Sequence, residues 1–358
     1  MPPPQTLTRS CEIGPVECSR ILPKVTSETT HPVSCRERHS IECVVASVVA
    51  IFNVFVLVET IMVNSRKYRV CEHLGEGGFS TVLLVEDTTT HKKYAIKKII
   101  CHGPEDQQLA MKEVEYYKLI KHLNVIECVD FVCKDITDPV VHTMSQVLIV
   151  LPYYHRGTLA NELERRAKNG DYMSSIDILS IFLQICEGVK AFHEAKPEPL
   201  AHRDLKTANI VLSDDGTPVI MDLGSVAIAR VQVCGTQAAR TLQDLAAERC
   251  SMPYRAPELF NVESYCMVDE RTDIWSLGCI LYALCYFKSP FDTVYERGDS
   301  VALAVMSAHI TFPEDTPYNE DMQNLILSML KVNPMERPYI YSVIENVHDT
   351  IAKLEGRV

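Results

Sequence analysis

The segment Ala201-His202-Arg203-Asp204-Leu205-Lys206-Thr207-Ala208-Asn209, with Asp222 thirteen residues beyond Asn209, constrains this chain more than any other feature. An aspartate can accept a proton from an alcohol and orient that alcohol for attack. An asparagine and a second aspartate supply the hard oxygen ligands that magnesium takes alongside phosphate oxygens. Lys206 can offset negative charge on a phosphoryl group in transit. Apolar Val219-Ile220-Met221 ahead of Asp222 fits a strand that delivers a carboxylate at a turn. Singly, each acid reads as readily as a loop cap or a surface charge. The ordered set, with residue types and spacings together, does not.

Two earlier segments suit the same chemistry. Gly75-Glu76-Gly77-Gly78-Phe79-Ser80-Thr81-Val82 lies between strand-like runs. Its glycines let backbone amides approach phosphate oxygens, although a hairpin turn uses glycine equally well. No helix follows, which excludes a dinucleotide fingerprint. In Tyr94-Ala95-Ile96-Lys97 a lysine interrupts a strand pattern with apolar alternate residues. Buried there, it needs an anionic partner, and the following helical stretch offers Glu113 and Glu115. Otherwise it projects to solvent beside Lys98.

Composition narrows the class further. Asp plus Glu number 47 against 35 Lys plus Arg, a formal charge of −12, which argues against a nucleic-acid partner held by phosphate neutralisation. Fourteen cysteines run from Cys11 to Cys285 with no C-x-x-C pair, so neither a zinc site nor a disulfide scaffold is indicated. They read as reduced, small hydrophobes of an intracellular domain.

Residues 1–40, rich in Pro, Ser, Thr and charge, read as a flexible tail. Residues 41–64 form a hydrophobic segment. Its run from Cys43 to Val63 is interrupted by Asn53 and Glu59 and followed by Arg66, Lys67 and Arg69. Three readings compete: a single membrane anchor flanked by cytoplasmic basic residues, a Val-rich element packed on the next domain, and a chain that truly starts elsewhere. The anchor is the preferred expectation, and the run lies too deep for a cleavable signal peptide. Beyond it, strand-like runs Val82–Val85, Tyr94–Ile100 and Val147–Leu151 surround one helical stretch, Gln107–His122. Long helical patterns such as Ile176–His193 and Thr272–Tyr286 follow Thr158. The expectation is an α+β, bilobal architecture over residues 65–350. A small antiparallel β-rich lobe with one main helix spans about 65–152, and a larger, mainly helical lobe spans about 153–350.

The ordered set resembles the signature of eukaryotic protein kinases from Tyr68 to His348, with further matches at Ala256-Pro257-Glu258, Asp273-Ile274-Trp275-Ser276-Leu277-Gly278 and Arg337. More narrowly, Gly75–Val82, Tyr94–His102, Arg156–Leu159, Met221–Ser225, Thr241–Tyr254 and Gly298–Val305 are similar to the Numb-associated kinase family, in particular to its Golgi-associated, acylated branch. The resemblance implies a serine/threonine kinase that uses ATP with Mg²⁺, or Mn²⁺ in its place, phosphorylates protein substrates and autophosphorylates. Gly75, Gly77, Val82 and Ala95 would surround the nucleotide. Lys97, paired with Glu113, would grip its phosphates; Glu115 has the poorer spacing to His122. Pro152 to Tyr154 would be the adenine-reading hinge, with Leu151 as gatekeeper. Asp204 would be the base, Lys206 would reach the γ-phosphate, and Asn209 and Asp222 would hold the metal. Glu258 with Arg337 would be a buried structural ion pair, and Asp273 a buttress for the loop around Asp204.

Three departures accompany the match. Ser80 stands at the third glycine position, and Leu223 replaces the usual Phe after Asp222; neither suggests a dead enzyme. Met1-Pro2 lacks the glycine that myristoylation requires, so membrane or Golgi association of a cytoplasmic kinase domain would rest on residues 43–63. Gln237 to Cys250 places Ala238, Leu242, Leu245 and Ala246 at helical spacing. This resembles the family's extra activation-segment helix, which would keep the segment ordered without phosphorylation. Thr236, Thr241 and Ser251 are the candidate phosphorylation sites beside Arg203. The rival reading is a pseudokinase scaffold, against which stand Lys97, Glu113, Asp204, Asn209 and Asp222, all present.

Overall fold

The structure is a computed structural model that describes residues 59–77, 80–136 and 144–357. Six strands form one antiparallel sheet: β1 (Thr60–Val63), β2 (Arg66–Glu76), β3 (Ser80–Asp87), β4 (Lys93–Cys101), β5 (Asp130–Ile136) and β6 (Met144–Pro152), in the order β1-β2-β3-β4-β6-β5. Strand alternation sends Leu83, Val85, Tyr94, Ile96, Leu148 and Val150 to one face, where they bury Tyr68 and Val63. The two outer strands approach each other around this core. The Asn64 side chain donates to Asp130 Oδ1 at 2.7 Å and to the Phe131 carbonyl, and Lys134 Nζ donates to the Met62 carbonyl. The sheet is therefore strongly curled.

β1 corrects the reading of the hydrophobic segment. Thr60–Val63 is a sheet strand and no part of a membrane anchor, so the β-rich lobe begins before residue 65. The cause is packing: Val63 is fully buried, Ile61 lies against the same core, and the strand pairs Val63 with Arg66 and Thr60 with Arg69. Residues 43–58 lie outside the described residues, as does the tail 1–40. Among the described residues no helix is long and apolar enough to cross a membrane.

Helix α1 (Pro104–Leu119) crosses the other face of the sheet, starting three residues before the stretch that periodicity marks. Pro104 at its first turn loses no hydrogen bond, and Glu105 and Asp106 suit the positive end of the helix dipole. The second lobe is helical. α2 (Leu159–Asn169) opens with a Thr158–Asn161 capping box and closes on Gly170 in the left-handed region, and α3 (Ser175–His193) is capped by Ser174. Short strands β7 (Leu200–Ala201), β8 (Ile210–Leu212), β9 (Pro218–Ile220) and β10 (Ala227–Ile228) carry the segments of interest, with β8 paired to β9 and β7 to β10. β11 (Val231–Cys234), α4 (Thr236–Arg249) and β12 (Tyr265–Val268) come next. α5 (Arg271–Tyr286) is the lobe's central helix, buried along its whole length except at Tyr282 and Tyr286. α6 (Asp292–Glu296), α7 (Val301–Ser307), α8 (Glu320–Met329) and α9 (Ile340–Leu354) surround it. The ten cysteines among the described residues are free, five of them buried.

Candidate active site

The β8–β9 hairpin sets the spacing seen in sequence. Asn209 immediately precedes β8, and Asp222 follows β9 after one residue. Asp204 lies in the loop between β7 and β8. This loop is held from below by Asp273 on α5, whose carboxylate is wholly inaccessible to solvent. It accepts the His202 amide at 2.8 Å, the Arg203 amide at 2.9 Å and His193 Nε2 at 3.1 Å. Burial works against the charged form of Asp273, but the His193 hydrogen bond and nearby positive charge prevail and lower its pKa. His202 donates Nε2–H to the Met221 carbonyl and accepts the Asp204 amide at Nδ1, so one tautomer satisfies both bonds. Arg203 and Asp222 both have left-handed backbones, φ 65° and 61°. For non-glycine residues that costs about 1–3 kcal/mol each, and the surrounding bonds must hold it.

Asp204 is buried and fully engaged. Its Oδ1 accepts the Ser251 amide at 2.7 Å; its Oδ2 accepts Asn209 Nδ2 at 2.9 Å and lies 3.0 Å from Lys206 Nζ. Lys206 also donates to Ser251 Oγ at 2.6 Å. Asn209 Nδ2 further bonds the Asp204 carbonyl, which turns the amide oxygen of Asn209 away from these partners.

Lys97 lies on the face of β4 opposite the curled core, toward α1. Its Nζ sits 2.8 Å from Glu113 Oε1 and 2.7 Å from Asp222 Oδ1, so the partly buried lysine is held between acids and does not project to solvent. Burial penalises its charge, yet the two carboxylates outweigh that and raise its pKa. Burial likewise raises Glu113, against the pull of Lys97. At Asp222 burial is again the largest influence and an upward one, but the attraction of Lys97 and its hydrogen bond overcome it and lower the pKa. Of the two glutamates offered by α1, Glu113 is buried on the lysine and Glu115 is exposed. Lys97, Glu113, Asp204 and Asp222 line one cleft of about 400 Å³, together with Ser80, Ser225 and Arg249.

The remaining expected residues surround this centre. Gly75 pairs with Val82 across β2 and β3, Val82 with Lys97, Ala95 with Leu151, and Tyr94 with Pro152. The Gly77 amide donates to the Ser80 carbonyl at 2.7 Å, closing the turn whose tip, Gly78 and Phe79, lies outside the described residues. Pro152 and Tyr154 line a second cavity of about 430 Å³ with Ile120, Val125 and Glu127, apart from the Lys97 cleft. Two contributors escaped sequence reasoning. Tyr117 donates to Glu113 Oε1 at 3.2 Å, and its position four residues along the same helix was a usable signal. His193 is 80 residues from Asp273, and no local pattern joins them.

The segment from Asp222 to Glu258 carries its own core. α4 buries Ala239, Leu242 and Ala246 against Val233, Leu259, Val262 and Val268, and β11 pairs with β12. Ala238 is exposed, and Ala239 takes the inward place expected of it, because the helix starts at Thr236 and its inward stripe is set by Leu242 and Ala246. Arg203 is buried, and burial lowers its pKa; it donates to the Ile228 carbonyl at 2.9 Å.

A curled antiparallel lobe above a helical one, with a Lys–Glu pair, a carboxylate-bearing turn and a buttressed aspartate loop facing one cleft, defines a protein kinase. The chain belongs to the protein kinase family: the family model described as protein kinase domain matches residues 68–348. Serine/threonine-protein kinase 16 of Rattus norvegicus is 42% identical over 281 residues, spanning 78% of this chain and 89% of the relative. The protein of the same name from Homo sapiens matches to the same extent. Serine/threonine-protein kinase ENV7 of Saccharomyces cerevisiae is 29% identical over 344 residues, covering 81% and 93%. The chain is a serine/threonine protein kinase, an enzyme that phosphorylates protein substrates.

Proposed function

We propose that this kinase, a member of the Numb-associated group, uses magnesium–ATP at the Lys97 cleft, with Asp204 as the base. The observation that carries this reading is Lys97 Nζ held between Glu113 and Asp222 in the cleft that Asp204 also lines. The donor set suits magnesium. Asn209 spends its amide hydrogens on Asp204, and Asp222 spends Oδ1 on Lys97, leaving Asn209 Oδ1 and Asp222 Oδ2 as hard oxygens without a protein partner among the described residues. Magnesium–ATP, when bound, supplies the phosphoryl group and neutralises charge on its oxygens.

The residues of the chain do the rest. Lys97 binds the phosphates of the nucleotide, which Gly75, Gly77, Val82 and Ala95 would cover from the sheet, while Pro152 and Tyr154, although they line a separate cavity, would meet its adenine as the hinge. Asp204 accepts the proton of a serine or threonine hydroxyl and orients its oxygen for attack. Lys206 sits 3.0 Å from that carboxylate, where it meets negative charge on the group in transit. Labelled-ATP assays test the assignment. Lys97→Met and Asp222→Ala should each lower turnover about 10²–10³-fold in folded protein. Turnover within tenfold of the parent in either variant would refute it.

The apolar core of α4 supports a second element of the reading: the segment is ordered by packing, and activity does not await phosphorylation of Thr236, Thr241 or Ser251. Phosphatase-treated protein is therefore expected to keep its initial rate. Loss of most of that rate, restored on reincubation with ATP, would contradict it.

A further inference from the structure

Arg249 ends α4 and lines the Lys97 cleft, yet the assigned roles leave it unused. The chain fixes its place from two sides. Ser225, in the turn that Asp222 opens, donates its hydroxyl to the Arg249 carbonyl at 2.9 Å. Beyond Arg249, the Ser251 amide donates to Asp204 Oδ1 at 2.7 Å. Arg249 is thus tied to the turn that bears Asp222 and to the segment that meets Asp204. The end of α4 is pinned as well: Arg255 Nη2 donates to the Cys250 carbonyl at 2.7 Å, and Ala246 and Cys250 are buried in the core of the segment. A side chain on a backbone held this way is placed before any ligand arrives.

The charges around the cleft single this residue out. Its wall carries the acids Asp106, Glu113, Asp204, Asp222 and Glu248, so a polyanion entering it needs a cation that is not already neutralised. Lys97 is held by Glu113 and Asp222, and Lys206 by Asp204 and Ser251. Arg249 is not committed in this way. Its one ionic neighbour among the described residues is Glu248, adjacent in sequence, with Nε 3.6 Å from Oε1, too long for a hydrogen bond, and that acid is 59% exposed. A cation in the last turn suits the negative end of any helix, but that preference does not require it to face a cleft. A guanidinium fork fits phosphate oxygens two at a time.

We propose that Arg249 is a catalytic residue supplied by α4, whose guanidinium binds the terminal phosphoryl group of the nucleotide. The inference rests on the magnesium–ATP reading of the Lys97 cleft. During transfer, the bond from phosphorus to the diphosphate oxygen breaks as the bond to the acceptor oxygen forms, and the acceptor's proton passes to Asp204. Arg249 exchanges no proton; it donates hydrogen bonds to the oxygens of the group in transit.

A contact with the terminal phosphate alone separates ATP from ADP, and a structural role does not. In the full chain, the affinities of ADP and of the non-hydrolysable β,γ-imido analogue of ATP, each with magnesium, are read by displacement of fluorescent N-methylanthraniloyl ADP. Arg249→Gln should raise the Kd of the imido triphosphate about 10–100-fold, the loss expected for a charge-assisted hydrogen bond, and leave the Kd of ADP within about twofold. Arg249→Lys, which keeps the charge and loses the fork, should fall between. An unchanged Kd for the triphosphate overturns the inference. An equal rise for both nucleotides also overturns it, because Arg249 would then act only through the shape of the cleft. Lys97→Met separates the two levels: if it weakens both nucleotides while Arg249→Gln weakens neither, only the arginine inference fails. If both nucleotides bind to Lys97→Met with parental affinity, the cleft reading and the inference fall together.

Discussion

Asp204→Asn is expected to lower kcat about 10²–10⁴-fold, the range that removal of a positioned base produces, while the KM for ATP stays close to that of the parent. The two effects separate because the groups do. Lys97, Glu113 and Asp222 hold one another without help from Asp204. The substitution is also mild for folding at the atom level. An asparagine oxygen still accepts the Ser251 amide, which lies 2.7 Å from Asp204 Oδ1. The new amide nitrogen replaces Oδ2, which accepts from Asn209 and meets Lys206. That side loses a hydrogen bond and an ion pair, and Lys206 retains Ser251 Oγ. Alanine would be a worse probe, since it leaves a part-buried amide unpaired and confounds turnover with loop order. Single-turnover measurements with saturating ATP decide the matter. A kcat within tenfold of the parent means that another group takes the proton. A parallel loss of ATP affinity means that Asp204 acts through the architecture of the cleft.

Much of this site was legible in sequence because its parts are short and locally ordered. The nine residues from Ala201 to Asn209 and the strand ending ahead of Asp222 are fixed by a hairpin, so spacing along the chain translates into placement in space. The choice of Glu113 over Glu115 came from the family resemblance, through the spacing to His122, and the helix explains it: Glu113 is on the buried face of α1 and Glu115 on the exposed one. Helix ends were read less well. α1 begins at Pro104 and ends at Leu119, while apolar periodicity put it at Gln107–His122. A proline and two acids at its start carry no hydrophobic signal, although they favour helix initiation. The four residues of β1 were illegible for a different reason. Thr60–Val63 follows the apolar run after the single charge of Glu59, with no turn residue between, and only pairing with Arg66–Arg69 distinguishes a strand from the end of a membrane segment. Long-range ties such as His193 to Asp273 have no counterpart in local pattern at all.

The largest expected effect on stability belongs to a residue with no part in the chemistry. Arg337 side-chain atoms are fully buried, and the guanidinium meets Glu258 through both arms, Nη1 to Oε1 at 2.8 Å and Nη2 to Oε2 at 2.6 Å. It also donates to the carbonyls of Lys331, Arg271 and Val332 and lies 5.3 Å from the ring centre of Trp275. A buried pair of this kind adds little over an apolar replacement of both partners, because removing two charges from water offsets their attraction. Losing one partner is different, since a carboxylate and three carbonyls are then left without donors. Arg337→Ala is expected to cost about 3–5 kcal/mol, a large part of the roughly 5–15 kcal/mol available to a folded domain. Glu258→Gln should cost less, because the neutral amide still accepts from the arginine. The double variant should be more stable than the sum of the two losses predicts, as one coupled unit is removed in each case. Denaturant midpoints of the four proteins test this. Strict additivity, or an Arg337→Ala loss below about 1 kcal/mol, would place the stability of this lobe in the apolar packing around α5 instead.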